Sequence, residues 1–258
     1  MGQFVHFYLY YVRQICKVKV CMVIHPKQIS LLMKSSTAIE LLRHFPLFEG
    51  LSDEYFAKLG SAISIQKIPK FSSLYEMGDP SDKILFLLQG TIKTCTISND
   101  GREVIKMIMH PVTMFGELGL VGEKHRHESA IALNKDVEYC TISVNAFLEL
   151  MRSNHSLCLK ILNIVGSRLL KVEQKLESLI FKDARARIID FLKESASKRG
   201  RRVGYEMLFK HCLTQQDIAN LTGTSRQTVT SVLNDLRKDN LIYFNRNSIL
   251  IRDMGKLS

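Results

Sequence analysis

The sequence predicts an α+β chain with a β-rich segment, one long helix, and a C-terminal pair of helices followed by a β-hairpin. Short apolar runs separated by turn residues fill 63–142, a heptad pattern runs over 154–182, and two helices flank a glycine within 214–238. The expected division is an extension at 1–33, a β domain at 34–153, the long helix at 154–182 and a mainly helical domain at 183–258.

The composition excludes several protein classes. The 258 residues are 46% hydrophobic and 24% charged, which excludes a disordered chain, a collagen and a disulfide-dense mini-scaffold. A net charge of +11 points to an anionic partner, although scattered surface lysines would also produce it. Segment 183–258 carries 14 basic and 8 acidic residues, whereas 34–182 is almost neutral.

The extension at 1–33 is apolar, aromatic and basic. Arg13, Lys17 and Lys19 interrupt it well before the ~20 apolar residues that span a bilayer, so no stable membrane span is expected. It also lacks the pattern of a signal peptide. Three interpretations remain: a weak membrane-surface anchor, a docked strand or helix, or a start codon placed too early, with Met22 or Met33 as the true start. We favour an extension outside the functional core.

The six cysteines contain no Cys-x-x-Cys pair. They fit a reduced cytoplasmic protein with buried, inert thiols. Cys16 and Cys21 have too few ligand-type neighbours for an iron–sulfur cluster, and no metal site is predicted.

The N-terminal part of the β domain begins with two predicted short helices, Thr37–Arg43 and Asp53–Ala62, and Ser52 is the expected N-cap of the second. Turn signals such as Asn99-Asp100-Gly101 then separate short β-type runs. The clearest predicted strands are Ile84–Leu88, Ile92–Ile97, Val104–Met109 and Tyr139–Ile142. Short, evenly spaced strands indicate a small barrel or sandwich, which need not carry a ligand.

The heptad segment predicts one long, exposed helix. Its apolar residues recur alternately three and four positions apart, which is the spacing of a coiled coil. We call this row the seam: Leu162, Val165, Leu169, Val172, Leu176 and Leu179. Two copies of the helix are expected to pair through the seam, and the alternative is an amphipathic helix packed on its own core.

The C-terminal domain opens with a predicted helix, Ala184–Lys193, and a basic loop at 198–202. A second helix is expected to begin after the N-cap Thr214, and Gly223 should end it. Ser225 should then cap a third helix, Arg226–Lys238. A helix, a tight glycine turn and a second helix form a helix-turn-helix.

Small and apolar residues support this motif. Ala219 lets the two helices approach, and Val229 fills the space between them. A β-hairpin follows over 241–251 and carries Arg246 at its tip, as a wing that reaches a nucleic-acid backbone would.

Side chains at the start of the third helix have the chemistry that reads double-stranded DNA. Arginine bridges guanine O6 and N7, glutamine bridges adenine N6 and N7, and hydroxyls suit phosphates or bases. The predicted contacts are Thr214, Gln216, Ser225, Arg226, Gln227, Thr228, Ser231 and Arg246.

Taken together, these residues resemble the cyclic-AMP receptor protein/FNR superfamily of bacterial regulators over about 38–252. The segment Gly223-Thr224-Ser225-Arg226-Gln227-Thr228-Val229 is similar to its recognition helix, and the runs at 78–82, 88–90 and 115–119 are similar to its cyclic-nucleotide-binding β-roll. The resemblance implies a cytoplasmic homodimeric transcription regulator, not an enzyme, that binds a near-palindromic operator and contacts RNA polymerase.

The resemblance also implies an effector pocket. A Gly-Glu-Leu-Gly turn can direct backbone amides at a phosphate while Glu117 accepts ribose hydroxyls. Cyclic-AMP-binding relatives place an arginine before a serine or threonine, but Glu128-Ser129 stands there, and Arg126 is the nearby alternative cation. The expected pocket residues are Gly116, Glu117, Leu118, Gly119, Arg126, Glu128, Ser129 and Ala130.

The effector is left unassigned, and cyclic AMP is not favoured. The family's adenine-contacting pair on the long helix corresponds to Val172-Glu173, which also departs from the pattern. The rival interpretation is a cyclic-nucleotide-responsive regulatory protein or membrane-surface sensor that acts through protein contacts. An enzyme is not supported, because the sequence shows no nucleophile–base constellation and no Walker loop.

Overall fold

A computed structural model describes residues 38–60, 63–134 and 136–257. The extension at 1–33, with Cys16, Cys21, Met22 and Met33, lies outside the described residues. Within these ranges, no helix combines the length and the apolar character that crossing a membrane requires.

The N-terminal helical segment closes one end of the β domain. Residues 38–42 are helical, a 3-10 turn covers Pro46–Phe48, and helix α1 covers Asp53–Leu59. Helix α1 ends before the predicted Ala62 because Gly60, a poor helix former, caps it. Ser52 occupies the N-cap position, as predicted, but its side chain makes no capping hydrogen bond.

The β domain consists of two four-stranded antiparallel sheets with strand orders β1-β8-β3-β6 and β2-β7-β4-β5. This is the roll. The four strands named from sequence are all present, and three of them are longer by one or two residues at an end. The strands are β1 Ile63–Ile68, β2 Ser73–Tyr75, β3 Lys83–Gln89, β4 Ile92–Ile97, β5 Glu103–Met109, β6 Thr113–Phe115, β7 Ser129–Ala132 and β8 Val137–Ser143.

Side chains that alternate along the strands fill the space between the two sheets. Leu85, Leu87, Ile92 and Phe115 are buried there, while an aromatic cluster around Phe86 joins the sheet to the N-terminal helices. Burial of such side chains stabilises the roll by about 1.5–3 kcal/mol each, before the entropy cost of ordering them.

The predicted long helix is confirmed. After helix α2, Val144–Arg152, helix α3 runs from His155 to Phe181, and the Asn154 side chain caps it by accepting from the Leu157 amide at 3.0 Å. Only the first turns of α3, at Leu157 and Ile161, are buried. The seam is half-buried at Val165 and exposed at its five other positions.

The C-terminal domain contains three helices and a four-stranded sheet of order β11-β12-β10-β9. Its elements are helices α4 Ala184–Arg199, α5 Gln215–Thr222 and α6 Arg226–Lys238, and strands β9 Arg201–Val203, β10 Glu206–Lys210, β11 Ile242–Phe244 and β12 Ser248–Ile251.

Two predictions about the start of this domain are wrong. Helix α4 continues past Lys193 to Arg199. Ser195 and Ala196 in its last turns are buried, and this packing extends the helix. The predicted basic loop at 198–202 is therefore the end of a helix and the start of an edge strand. The hairpin formed by β9 and β10 was not predicted from sequence.

The cysteine prediction is partly right. Cys95 and Cys140 are buried, and burial raises the pKa of each thiol to about 12. Cys158 and Cys212 are only half-buried. In the described part of the chain, no three histidine, cysteine or acidic side chains come together as metal ligands.

The C-terminal domain packs against the sheet β2-β7-β4-β5 of the roll. Leu133, which follows β7, is buried in the same apolar cluster as Ile188, Phe209 and Val229 of the C-terminal domain. The relative position of the two domains is therefore fixed by apolar burial as well as by the polar contacts described below.

His110 makes this packing sensitive to acid. It follows β5, its Nδ1 lies 3.4 Å from Thr91 Oγ1, and burial together with the charge of Arg199 lowers its pKa to about 4. In the unfolded chain the imidazole takes up a proton below about pH 6.5. Since the unfolded state then binds more protons, stability is lost as the pH falls from about 6.5 towards 4.

We therefore expect the thermal midpoint to fall between pH 7 and pH 5, and to fall less in His110→Asn, which keeps a donor near Thr91 without a group that titrates there. The control is His155→Asn, which changes an exposed histidine at the start of α3. Equal losses of thermal midpoint in the native chain and in His110→Asn would show that His110 is not responsible.

Candidate nucleic-acid interface and effector pocket

Helix α5 begins with a reciprocal cap. Thr214 Oγ1 accepts from the Asp217 amide at 3.0 Å, and Asp217 Oδ2 accepts from the Thr214 amide at 2.9 Å. The Thr214 hydroxyl also donates to the same carboxylate at 2.7 Å. Thr214, a predicted phosphate ligand, is therefore already engaged in starting the helix.

The turn between α5 and α6 requires glycine. Gly223 has φ +65°, and a Cβ atom there would lie 3.0 Å from Leu179 of the long helix. Ala219 and Val229 are fully buried on either side of the turn, as the motif requires. The helix-turn-helix geometry predicted from sequence is present.

Arg187, which was not predicted, connects this turn to the end of the long helix. Its Nε donates to Thr222 O at 2.9 Å, its Nη2 to Gly223 O at 3.1 Å and its Nη1 to Lys182 O at 2.7 Å. One guanidinium thus satisfies three carbonyls from two segments. The only sequence signal for this role is an arginine near the start of α4.

Helix α6 presents an exposed polar row. Ser225 Oγ caps the helix by accepting from the Thr228 amide at 3.0 Å, and the two hydroxyls lie 2.8 Å apart. The next turns line an open depression of about 520 Å³ that contains no acidic side chain. Its lining consists of Arg226, Gln227, Thr230, Ser231 and Asn234, of which Thr230 and Asn234 are not among the predicted contacts.

The wing and the two helices meet at one cleft. Asn245 Oδ1 accepts from the amides of Asn247 and Ser248, both at 2.9 Å, which orders the turn that carries Arg246. A cleft of about 940 Å³ brings Arg246 together with three other predicted contacts, Thr214, Gln216 and Arg226. The Gln216 amide group donates to Asn220 Oδ1 at 2.7 Å.

The predicted effector pocket is built around a glycine-rich 3-10 turn, Glu117–Val121. A Cβ atom on Gly119 would lie 2.4 Å from Ser81 O, so only glycine fits there. Glu117 is 3% exposed, and its Oε1 accepts from Nη1 of Arg168 on the long helix. Its Oε2 has no partner in the described residues. Arg168 was not predicted.

Arg126 fills part of this pocket. It is 4% exposed, and its guanidinium donates to Gly116 O at 3.1 Å and to Lys83 O. The same group lies 4.6 Å from the ring centre of Tyr75, and its Nε is buried without a partner. Among the described residues, the predicted pocket thus has one unpaired donor, on Arg126, and one unpaired acceptor, on Glu117.

The remaining predicted pocket residues have other partners. Glu128 pairs with Lys106 of β5 at 3.3 Å and accepts from the Tyr75 hydroxyl at 3.4 Å. Ser129 Oγ accepts from the Met77 amide at 3.0 Å, Ala130 is fully buried, and Leu118 is half-buried in the turn. Burial, together with the Glu128 charge, raises the pKa of Tyr75.

Comparison with protein families gives one match for the roll and one for the C-terminal domain. Residues 65–154 match the cyclic nucleotide-binding domain, and residues 186–258 match the Crp-like helix-turn-helix domain.

Relatives cover most of the chain. A CRP-like cAMP-activated global transcriptional regulator of Mycobacterium tuberculosis is 28% identical over 219 residues, which are 85% of this chain and 97% of that protein. A global nitrogen regulator of Synechocystis is 27% identical over 79% of this chain and 92% of its own length. Among solved structures, FixK2 of Bradyrhizobium japonicum superposes with a TM-score of 0.68 at 19% identity, covering 76% of this chain and 95% of that one, and shows the same fold.

Proposed function

Because the chain belongs to the cyclic-AMP receptor protein/FNR superfamily of DNA-binding transcription regulators, we propose that it acts as a homodimer that reads a near-palindromic operator through the first turns of α6. The observation that carries this proposal is the exposed row on α6, which combines an arginine, amides and hydroxyls and has no carboxylate. A duplex offers complementary donors and acceptors in its major groove.

The contacts divide into two chemical groups. Arg226 and Gln227 reach base edges, because they lie at the start of the recognition helix, and Ser231 lies one turn further along. Thr214, Gln216, Ser225 and Thr228 hold phosphates, and Arg246 on the wing contacts the backbone. Two such domains bind half-sites one helical turn apart, about 34–36 Å.

The long helix supplies the dimer contact. Five seam residues are exposed in the single chain, and a row of exposed leucine and valine on a free helix is stabilised by pairing with a second copy. We assign 34–153 to the roll, 154–182 to dimerisation and 183–258 to DNA binding. By family resemblance, RNA polymerase is a further partner, and the site of action is the cytoplasm.

The roll senses an effector other than cyclic AMP, or none. A carboxylate, Glu128, stands where relatives use an arginine, and Arg126 already donates to two carbonyls. A cyclic phosphate would meet repulsion from Glu128 and would have to displace these bonds.

Substitution of the two arginines separates base readout from backbone contact. Arg226→Ala should cost about 1–3 kcal/mol on the preferred operator and relax the preference at one base pair per half-site, since a bidentate contact to guanine is lost. Arg246→Ala should weaken all sequences alike and reduce the slope of log K against log salt by about one per half-site.

Binding-site selection and salt titrations on both variants measure these effects. If Arg226→Ala selects the same sequence pattern as the native chain, Arg226 does not read bases. A flat salt response of the native chain would instead contradict DNA binding itself and favour a protein partner.

The dimer assignment predicts that Leu169→Glu yields monomers, because it places two carboxylates in an apolar interface. The control, Ser167→Glu, changes an exposed residue on the opposite face of the same helix and should leave the dimer intact. Sedimentation velocity measures both. A dimeric Leu169→Glu variant would show that the seam is misassigned.

The pocket predicts that cyclic AMP changes neither the thermal midpoint nor the DNA affinity of the native chain at physiological concentrations. Glu128→Arg restores a cation at the family position and should recover part of the binding, measured by calorimetry. Micromolar binding of cyclic AMP to the native chain would contradict the proposal.

A further inference from the structure

The joint between the long helix and the DNA-binding domain is short. Helix α3 ends at Phe181 and helix α4 begins at Ala184, so only Lys182 and Asp183 lie between them. Both residues have extended backbone, and a segment of this length can act as a hinge when nothing holds it. The contacts that fix these two residues therefore also fix the direction in which the DNA-binding domain leaves the long helix.

The two residues of the joint are held by both helices. The Lys182 amide donates to Ser178 O at 3.1 Å, which continues the hydrogen bonding of α3 by one residue. The Lys182 carbonyl accepts from Arg187 Nη1 at 2.7 Å. Asp183 is the N-cap of α4, and its Oδ1 accepts from the Ala186 amide at 2.7 Å. Hydrogen bonds thus order the joint from either side.

The guanidinium of Arg187 extends this order into the helix-turn-helix. Besides the Lys182 carbonyl, it donates to Thr222 O at 2.9 Å and to Gly223 O at 3.1 Å, in the turn that leads into α6. The three acceptors lie in two segments that are far apart in the sequence. A planar cation with five donors in fixed positions can hold all three, whereas a lysine ammonium is a point charge on a flexible stem.

The same turn also contacts the seam. A Cβ atom on Gly223 would lie 3.0 Å from Leu179 Cδ2, so the turn packs closely against the last seam residue. Across the joint, Lys182 Nζ pairs with Asp190 Oδ2 of α4 at 2.6 Å, but both side chains are 47% exposed, and such a pair contributes little. The turn before α6 is therefore tied to the end of the proposed dimer helix mainly by Arg187 and by the packing at Gly223.

We propose that Arg187 is a positioning residue that sets which spacing and relative rotation of the two half-sites the dimer accepts. The inference rests on the proposed function, because it assumes that two copies of α6 read one operator. One inserted base pair moves a half-site by about 3.4 Å and rotates it by about one tenth of a helical turn. A rigid joint discriminates against that change, whereas a loose joint follows it and lowers the effective concentration of the second domain at its half-site.

The test compares operators with identical half-sites that differ by one base pair, added or removed, between them. We expect the native chain to bind either altered operator on the order of ten-fold more weakly. Arg187→Lys keeps the charge, so the electrostatic contribution to DNA binding is retained, but it loses the fixed geometry of the guanidinium. This variant should bind the native spacing several-fold more weakly than the native chain does, and should lose only about two-fold more on the altered operators.

Matched variants distinguish positioning from charge and from folding. Arg185→Lys is the control, because Arg185 lies two positions earlier on α4 and takes no part in these hydrogen bonds, and it should keep the native ratio between the operators. Arg187→Gln removes the hydrogen bonds together with the charge and should show the same loss of discrimination, with Arg185→Gln as its control. A general loss of folded protein would weaken binding to all operators equally and leave the ratio native.

Amide hydrogen exchange without DNA gives an independent measure of the joint. The Lys182 amide should exchange faster in Arg187→Lys than in the native chain or in Arg185→Lys, because the joint opens more often when its carbonyl is released. A native operator ratio in both Arg187→Lys and Arg187→Gln would overturn the proposal, and so would equal binding of the native chain to all spacings. Failure of the native chain to bind any of the operators would instead contradict the proposed function.

Discussion

The position of the DNA-binding domain depends on the ammonium group of Lys93. A charge that is only 12% exposed, as that of Lys93 is, is costly unless it is paired, and two partly buried carboxylates side by side are costly without a cation. Lys93 resolves both costs by bridging Glu103 of the roll and Asp217 of α5. The apolar contact at Leu133 contributes to the packing of the two domains against each other. The ionic group adds a directional constraint on their register, because the hydrogen bonds from Lys93 and Asn220 to the carboxylates are satisfied in one alignment of α5.

Strand β5 connects this ionic group to the predicted effector pocket. Lys106 pairs with Glu128 in the pocket, whereas Glu103, three residues earlier, accepts from Lys93 and Asn220. Between them, the Ile105 carbonyl accepts from Lys175 of the long helix at 3.0 Å. The predicted pocket, the long helix and the contact with α5 therefore share a single strand. A ligand that drew Glu128 away from Lys106 would act on the same strand backbone that holds Glu103, which gives a contiguous physical route for coupling.

Local features were predictable from sequence, and distant pairings were not. The cap at Thr214, the turn at Gly223 and the cap at Ser225 are each specified within a few residues, so the helix-turn-helix was predicted with its bounds. The seam and the strands follow from periodicity. Lys93 and Asp217 are 124 residues apart, and Arg168 and Glu117 are 51 residues apart. Because these separations are long, no local sequence pattern indicates that the residues pair. The length of α4 was also missed, because burial against the rest of the domain, and not propensity, extends it.

The predicted DNA contacts differ in whether their side chains already make hydrogen bonds within the protein. Thr214, Ser225 and Thr228 use their hydroxyls in helix caps, and Gln216 uses its amide on Asn220, so each would exchange an internal hydrogen bond for one to a phosphate. Such exchanges contribute little net free energy. Arg226, Gln227, Ser231 and Arg246 are exposed, and within the described residues their side chains have no internal partner to give up. Affinity and base preference should therefore come from this second group, while the first group fixes the register of the helices on the backbone.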